Sequence, residues 1–489
     1  MPTAAITDQN VGNPHHARRW YVLAVVGVAQ LMVVLDATIV NIALPSAQAD
    51  LGFSDGSRQW VITAYALAFG GLLLLGGRLS DLFGRKWTFI AGLIGFSIAS
   101  AIGGSAQSFD VLVLARALQG AFGAILAPAA LSIVTTTFND HDERGKAFAI
   151  FGAISGGGAA VGLLLGGALT EYLSWRWCFY VNLLFALPAA IIALGLIQNV
   201  ASAAHAELDI PGTALGCGGL LLLVFGFSKA ATVGWGAPIT LAMLGGATLM
   251  LVLFYLWLRR AAHPLLPLRI VYDRNRGGSF LAILISGLGV FGVFLFLTYF
   301  LQQNLDLSPF QTGFAFLPMV VCIVIASLTA QTRILPRTGP RPLVVVGMIL
   351  CTLGMVYLAQ LNINSTYLPS VLPALALLGF GFGSIFATAI NTATLGVVPE
   401  DAGVASALVN TCQQVGGAAG TALLSSLAAT ASASFLAGEV ASPTLTAEAA
   451  IHGYTVAFWA SAAIFISGAL CGRVLLRGGP NLTLASSAS

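Results

Sequence analysis

The sequence predicts an all-α membrane protein, and three observations carry that reading. Only 8% of the 489 residues are charged, against about 25% in soluble globular chains. Hydrophobic residues make up 57%, and the mean hydropathy is +0.91. The apolar residues also fall in unbroken runs of bilayer length. A soluble protein keeps most charged side chains on its exterior, and this chain has too few to cover one. Soluble enzymes, secreted disulfide scaffolds, disordered chains and soluble nucleic-acid binders are excluded together, and no nucleic-acid partner is expected. The runs do not alternate, which disfavours a transmembrane β-barrel.

About 20 predominantly apolar residues are needed to cross roughly 30 Å of hydrocarbon as a helix. Fourteen runs qualify. The first six cover residues 20–45, 59–77, 87–106, 109–134, 147–172 and 177–197. Two more follow at 211–229 and 239–258. The last six cover 277–301, 312–333, 343–361, 368–389, 402–428 and 454–476. The basic residues test the count. With a cytoplasmic N-terminus and every run crossing, Arg58, Arg176 and Lys229 fall outside and Arg116 falls within a helix, while the other seventeen of the 21 Lys and Arg lie inside. Cytoplasmic loops carry the Lys/Arg excess, and one miscounted helix would have mixed the two sides. Arg18-Arg19 before a long apolar run resembles an export signal superficially, but the run is too long and contains Asp36.

The first and last six runs read as two copies of one unit. The outer link after run one, SAQADLGFSDGSRQW, parallels QQNLDLSPFQTGF after run nine, and Gly84-Arg85-Lys86 parallels Gly339-Pro340-Arg341. Runs five and thirteen are both glycine-rich. Runs seven and eight, between polar links at 198–210 and 259–276, read as an insertion. The expected organisation is a cytoplasmic tail (1–19), a six-helix bundle (20–198), a linker with two inserted helices (199–260), a cytoplasmic loop (261–276), a second six-helix bundle (277–476) and a cytoplasmic tail (477–489). Paired six-helix halves about a central site are a transporter layout.

Cys178, Cys217, Cys322, Cys351, Cys412 and Cys471 stand singly with no CxxC, so they read as small apolar fillers. The six histidines show no ligand spacing, and no phosphate-binding GxxxxGK[ST] loop is present. No metal, cofactor or ATP is expected.

Two ionisable residues lie well inside runs, Asp36 and Arg116. Each costs about 2.5–3.5 kcal/mol at a helix centre, which makes each a functional hypothesis. Asp36 is nine residues from the outer end of its run and Arg116 seven from the same face. At 1.5 Å per residue these depths are about 14 and 11 Å. If their helices face each other, pairing is the cheapest arrangement for both, whether it serves as a static ion pair or a switch. Gln119 is one turn from Arg116. Asn41, Gln302, Gln303, Asn410, Gln413 and Gln414 add uncharged polarity elsewhere, and Phe294 is one of several phenylalanines in run nine. These are the candidates for lining a cavity that takes hydrophobic ligands, beside the plainer role of helix packing.

The motif GGRLSDLFGRK (76–86) places Asp81 beside Arg78, Arg85 and Lys86, with Gly77 and Gly84 permitting a tight link. Such charges can form a lock at the cytoplasmic face. The spacing resembles the signature loop of the major facilitator superfamily. LDATIVNIALP (35–45), RALQGAFGA (116–124), LLLGGALTEYLSWRW (163–177), LDIPG (208–212), SPFQTGFAFLP (308–318) and DAGVASALVNTCQQVGGAAG (401–420) resemble its drug:proton antiporter branch with fourteen helices. The resemblance covers almost the whole chain. It implies the major facilitator fold, a bacterial plasma membrane, and proton-driven export of small hydrophobic or amphipathic compounds by alternating access. The partners it implies are such a substrate, protons and the bilayer, with the chain acting as a monomer.

Carried over residue by residue, the resemblance assigns proton coupling to Asp36 and Arg116 and a conformational gate to Gly77, Asp81, Gly84, Arg85 and Lys86. The helix-five motif departs from the branch. Gly162 is followed by Leu163 where the pattern has proline, while Gly158, Gly166 and Gly167 are kept. Close helix packing survives that change, and the proline kink does not. A dedicated transporter of one metabolite is the alternative within the fold. A membrane enzyme lacks a nucleophile–base cluster, and a channel lacks a ring of like charges.

Overall fold

A computed structural model describes residues 18–53, 55–138, 140–198, 209–398, 401–437 and 442–479. The two expected tails, apart from short stubs, and the linker 199–208 lie outside these residues. Fourteen long helices follow one another: α1 Arg19–Leu51, α2 Asp55–Phe83, α3 Arg85–Gly104, α4 Phe109–Thr137, α5 His141–Tyr172, α6 Trp177–Leu196, α7 Ile210–Val233 and α8 Pro238–Leu258, then α9 Arg274–Gln303, α10 Phe310–Thr338, α11 Pro340–Leu358, α12 Tyr367–Thr394 and α13 Ala402–Leu436, and α14 Pro443–Leu475. Among the described residues, thirteen contain a stretch long and apolar enough to cross a membrane. The other, α5, is 32 residues long with Val161–Tyr172 as its apolar end.

Several helices outrun their apolar runs. α1 continues through Pro45 to Leu51 and stops at Gly52, whose φ of 68° turns the chain left-handed. α14 starts at Pro443, with Ser442 capping Leu445 N–H, eleven residues before its run. Hydropathy measures the hydrocarbon span, whereas a helix ends only where a cap or a left-handed residue stops it. A five-residue helix, Leu268–Tyr272, interrupts the cytoplasmic loop.

The helix contacts repeat. In the first half α1 packs on α4, α5 and α6, α2 on α4, and α3 on α4 and α6. Their counterparts do the same in the second: α9 on α12, α13 and α14, α10 on α12, and α11 on α12 and α14. The links repeat as well. Left-handed Gly52 after α1 (φ 68°) matches Asp306 after α9 (φ 50°), and Gly84 after α2 (φ 86°) matches Gly339 after α10 (φ 76°). The halves meet reciprocally, α2 on α13 and α5 on α10, α4 on α13 and α5 on α12. This is the parallel two-fold arrangement of a transporter.

The inserted pair breaks the symmetry. α7 covers the α2–α13 seam, with Leu221 and Val224 packed against Gly71 and Gly70. α8 lies outside α7, seating Met250, Leu251 and Leu244 on Gly218, Gly219 and Gly226. Among the described residues, no further helix packs over the equivalent α5–α10 seam as α7 does over α2–α13.

Candidate functional site

α1 and α4 bring Asp36 and Arg116 together. Arg116 Nη1 donates to Asp36 Oδ2 at 2.6 Å, and the two side chains are 0% and 2% exposed. The second carboxylate oxygen accepts from Gln119 Nε2 at 2.9 Å and Asn182 Nδ2 at 2.7 Å. Gln119 Oε1 in turn accepts from Arg116 Nη1 at 2.9 Å. Ser100 Oγ lies 2.6 Å from Gln119 Nε2 and 3.1 Å from Asn182 Nδ2, accepting from both. Arg116 is also held by the Val61 carbonyl, which its Nε reaches at 3.2 Å, and by the face of Tyr65, 4.2 Å from its guanidinium carbon. The result is a closed network drawn from α1, α2, α3, α4 and α6. A buried ion pair is tolerated only when its remaining donors and acceptors are filled, and here neutral amides fill them.

Gln119 is fully buried within this network. Sequence reading overlooked Asn182, Ser100 and Tyr65. Asn182 was findable: it is the one strongly polar side chain in α6. Ser100 and Tyr65 carry no comparable signal, since serines and tyrosines are ordinary in transmembrane helices.

Glycines set how α1 sits. A Cβ on Gly158 would meet Val34, one on Gly162 would collide with Thr38 Oγ1, and one on Gly166 would lie 2.8 Å from Ile39 Cγ1. The stripe thus packs α5 along the turns of α1 that flank Asp36. Gly167 is buried beside it.

A second polar group ties the halves at the face that the charge distribution assigns to the cytoplasm. Asp81, at the end of α2, accepts from the backbone N–H groups of Gly403 (3.0 Å) and Val404 (3.2 Å) in the first turn of α13. A carboxylate at a helix N-terminus is favourably placed. Gly77 makes the approach possible, since its Cβ would lie 2.6 Å from the Gly403 carbonyl. Arg78 and Arg85 act electrostatically on Asp81. Gly84 supplies the left-handed turn, and Lys86 reaches the Leu194 carbonyl at 2.7 Å. Asp81 thus joins α2 of the first half to α13 of the second.

The sequence reading also missed Arg144, at the start of α5. It is buried, donating to Asn391 Oδ1 (2.9 Å) and Thr394 Oγ1 (3.0 Å) of α12 and to the Thr135 carbonyl (3.1 Å). Asn391 then donates to Gln331 of α10 at 2.9 Å. Arg144 looks in sequence like any positive-inside loop residue.

Comparison with known proteins decides the family. The model of the Major Facilitator Superfamily matches residues 26–421. The chain belongs to the major facilitator superfamily. It is 51% identical over 461 residues to the puromycin resistance protein pur8 of Streptomyces alboniger, covering 94% of this chain and 92% of that one. It is 38% identical to the cephamycin export protein CmcT of Amycolatopsis lactamdurans, covering 81% and 82%. The crystal structure of the human organic anion transporter MFSD10 shares the fold, with a TM-score of 0.65 at 18% identity over 93% of this chain and 99% of that one. This facilitator is a multi-pass membrane transporter and not an enzyme.

The other polar candidates are dispersed in it. Asn410 donates to its own helix at the Ser406 carbonyl. Gln303 accepts from Tyr454 near the outer end of α9. Gln302 and Gln413 are half-buried, and Gln414 backs onto Gly70 at the α2–α13 seam. Phe294 packs on Phe316, with ring centres 5.3 Å apart. The side chain of Asn41 lies outside the described residues. Among the described residues, no group of three or more His, Cys, Asp or Glu could hold a metal ion.

Proposed function

We propose that this facilitator is a proton-coupled exporter of small hydrophobic or amphipathic, antibiotic-like compounds, working as a monomer in a bacterial plasma membrane. The observation that carries the reading is the sealed Asp36–Arg116 pair. Asp36 is the one carboxylate deep in the bilayer, and its base is fixed by groups other than Asp36. In the cycle, a proton from outside neutralises Asp36 and breaks its pair with Arg116. Rocking of the two halves, 20–198 and 277–476, then carries the site to the other face. Proton loss inside restores the pair and resets the carrier. Because the carboxylate is enclosed, proton exchange requires a rearrangement of the helices around it, and that requirement links the proton to the conformational step.

Relatives named for puromycin resistance and cephamycin export support an outward direction and drug-like cargo. Puromycin is the first compound to test. Inverted vesicles with an acidic lumen should accumulate it, and a protonophore should abolish the accumulation. Uptake indifferent to the pH gradient would overturn proton coupling. Uptake of one compound alone from a panel would mark a dedicated transporter.

A further inference from the structure

The uncovered α5–α10 seam holds a slot of about 280 Å³ lined almost wholly by apolar atoms. Leu31 of α1 forms its back wall, Ala149, Ala153 and Gly157 one side, and Val320 and Val324 the other. Its lips face outward: Ile150, Val324 and Leu328 are 40%, 39% and 40% exposed. Residues 149 to 161 of α5 run along it, about 18 Å at 1.5 Å per residue, close to one leaflet of a hydrocarbon core roughly 30 Å thick. At its inner end α5 and α10 touch, a Gly145 Cβ lying 3.2 Å from the Gln331 carbonyl. Farther out, Gly313 packs against Leu164 and closes the seam.

Two exposed cations stand at the inner mouth. Lys146 is one turn before Ala149 and Ile150 on the same face of α5. Arg333 lies in the π-turn Ala330–Ile334, two residues past Gln331, whose carbonyl meets Gly145 at the inner end of the slot, and its side chain is exposed. Neither cation takes part in an ion pair among the described residues. An apolar trough one leaflet long, opening to the bilayer and ending at two basic side chains, matches one kind of molecule. We propose that the α1–α5–α10 slot binds an anionic phospholipid of the cytoplasmic leaflet, with an acyl chain in the trough and the phosphate between Lys146 and Arg333. Basic residues between transmembrane helices at the cytoplasmic side recognise such headgroups. α5 and α10 belong to different halves, so the lipid is a shared ligand of the seam that must open or slide when the halves rock. The opposite seam cannot bind one, because α7 fills it.

Native mass spectrometry of the full-length protein, released from nanodiscs of mixed phosphatidylglycerol and phosphatidylethanolamine, tests this. The wild type should retain one phosphatidylglycerol several-fold more often than phosphatidylethanolamine. Lys146→Gln/Arg333→Gln should lose the preference, and Ala153→Phe, which fills the trough with the charges intact, should lose the retained lipid. Arg259→Gln/Arg260→Gln removes the same charge at the end of α8 and should change neither. A phosphatidylglycerol preference kept by Lys146→Gln/Arg333→Gln, a lipid retained by Ala153→Phe, or equal loss in the α8 control overturns the proposal. If Ala153→Phe is not monodisperse, Val324→Trp at the lip replaces it with the same expected loss.

Discussion

Replacing Asp36 by Asn and Arg116 by Gln, singly and together, probes the buried pair most directly. Removing one partner of a buried ion pair costs about 3–5 kcal/mol, but the two single variants are not equivalent. Without Arg116, Asp36 can take up a proton and become neutral while keeping the Asn182 and Gln119 amides near it. Without Asp36, Arg116 cannot shed its charge. It retains the Val61 carbonyl, Gln119 Oε1 and the Tyr65 face, which holds the loss near the lower end of that range. Asp36→Asn should therefore cost about 3 kcal/mol, about a hundredfold in the folded-to-unfolded ratio. Arg116→Gln should cost less, and the double variant should recover most of the loss. Denaturant unfolding of the purified protein measures all four corners of the cycle. The same proteins in vesicles should show no uphill efflux in any variant, while Asp36→Asn still binds substrate or exchanges it downhill. Equal stability of the two single variants, with no recovery in the double, would refute the electrostatic argument. Uphill efflux with normal proton movement in Asp36→Asn would move the proton to an acid nearer a helix end, such as Glu171.

Cysteine labelling checks the orientation: Trp235→Cys should react from outside, whereas Arg269→Cys should need permeabilised cells. Asp81→Asn should weaken its hold on the α13 N-terminus by about 0.3–1 kcal/mol, slowing transport while expression and substrate binding stay near normal; unchanged transport would reduce the contact to packing. Gly162→Val should separate α5 from α1 at Thr38 and abolish transport, with a lower unfolding midpoint than Leu163→Val beside it.

Much of this architecture can be read without coordinates because the bilayer imposes it. Apolar run length and Lys/Arg placement reflect transfer energies, so the fourteen long helices and the pair between the halves are legible, as is the doubled link chemistry at Gly84 and Gly339. Asp36 and Arg116 are legible for the same reason: charge inside hydrocarbon is too costly to be incidental. What escapes the sequence is polarity that is cheap to place. Ser100 looks like any helix serine, Tyr65 like any interfacial aromatic, and Arg144 like one more cytoplasmic cation, yet each acquires meaning from a partner distant in the chain. Asn182 lies between these cases, since a lone amide within an apolar span is also costly to bury unpartnered.

α5 is the element through which a proton on α1 can be felt by the other half. Along one face its glycines at 158, 162 and 166 sit against Val34, Thr38 and Ile39, the turns on either side of Asp36. On its other sides Gly152 packs against Ala387 of α12 and Leu164 against Gly313 of α10, and its first turn holds Arg144 in the α12 ties. Among the described residues, no other helix of the first half touches both the carboxylate's own helix and two helices of the second so closely. With no side chains to interleave at the glycine stripe, α1 and α5 are close enough that a shift of one without the other opens a gap or a clash. On the proposed coupling, neutralising Asp36 would loosen α1 from α4, and α5 would carry that displacement to the second half. Leu163 in place of the proline after Gly162 fits that role, since α5 is one continuous α-helix from His141 to Tyr172.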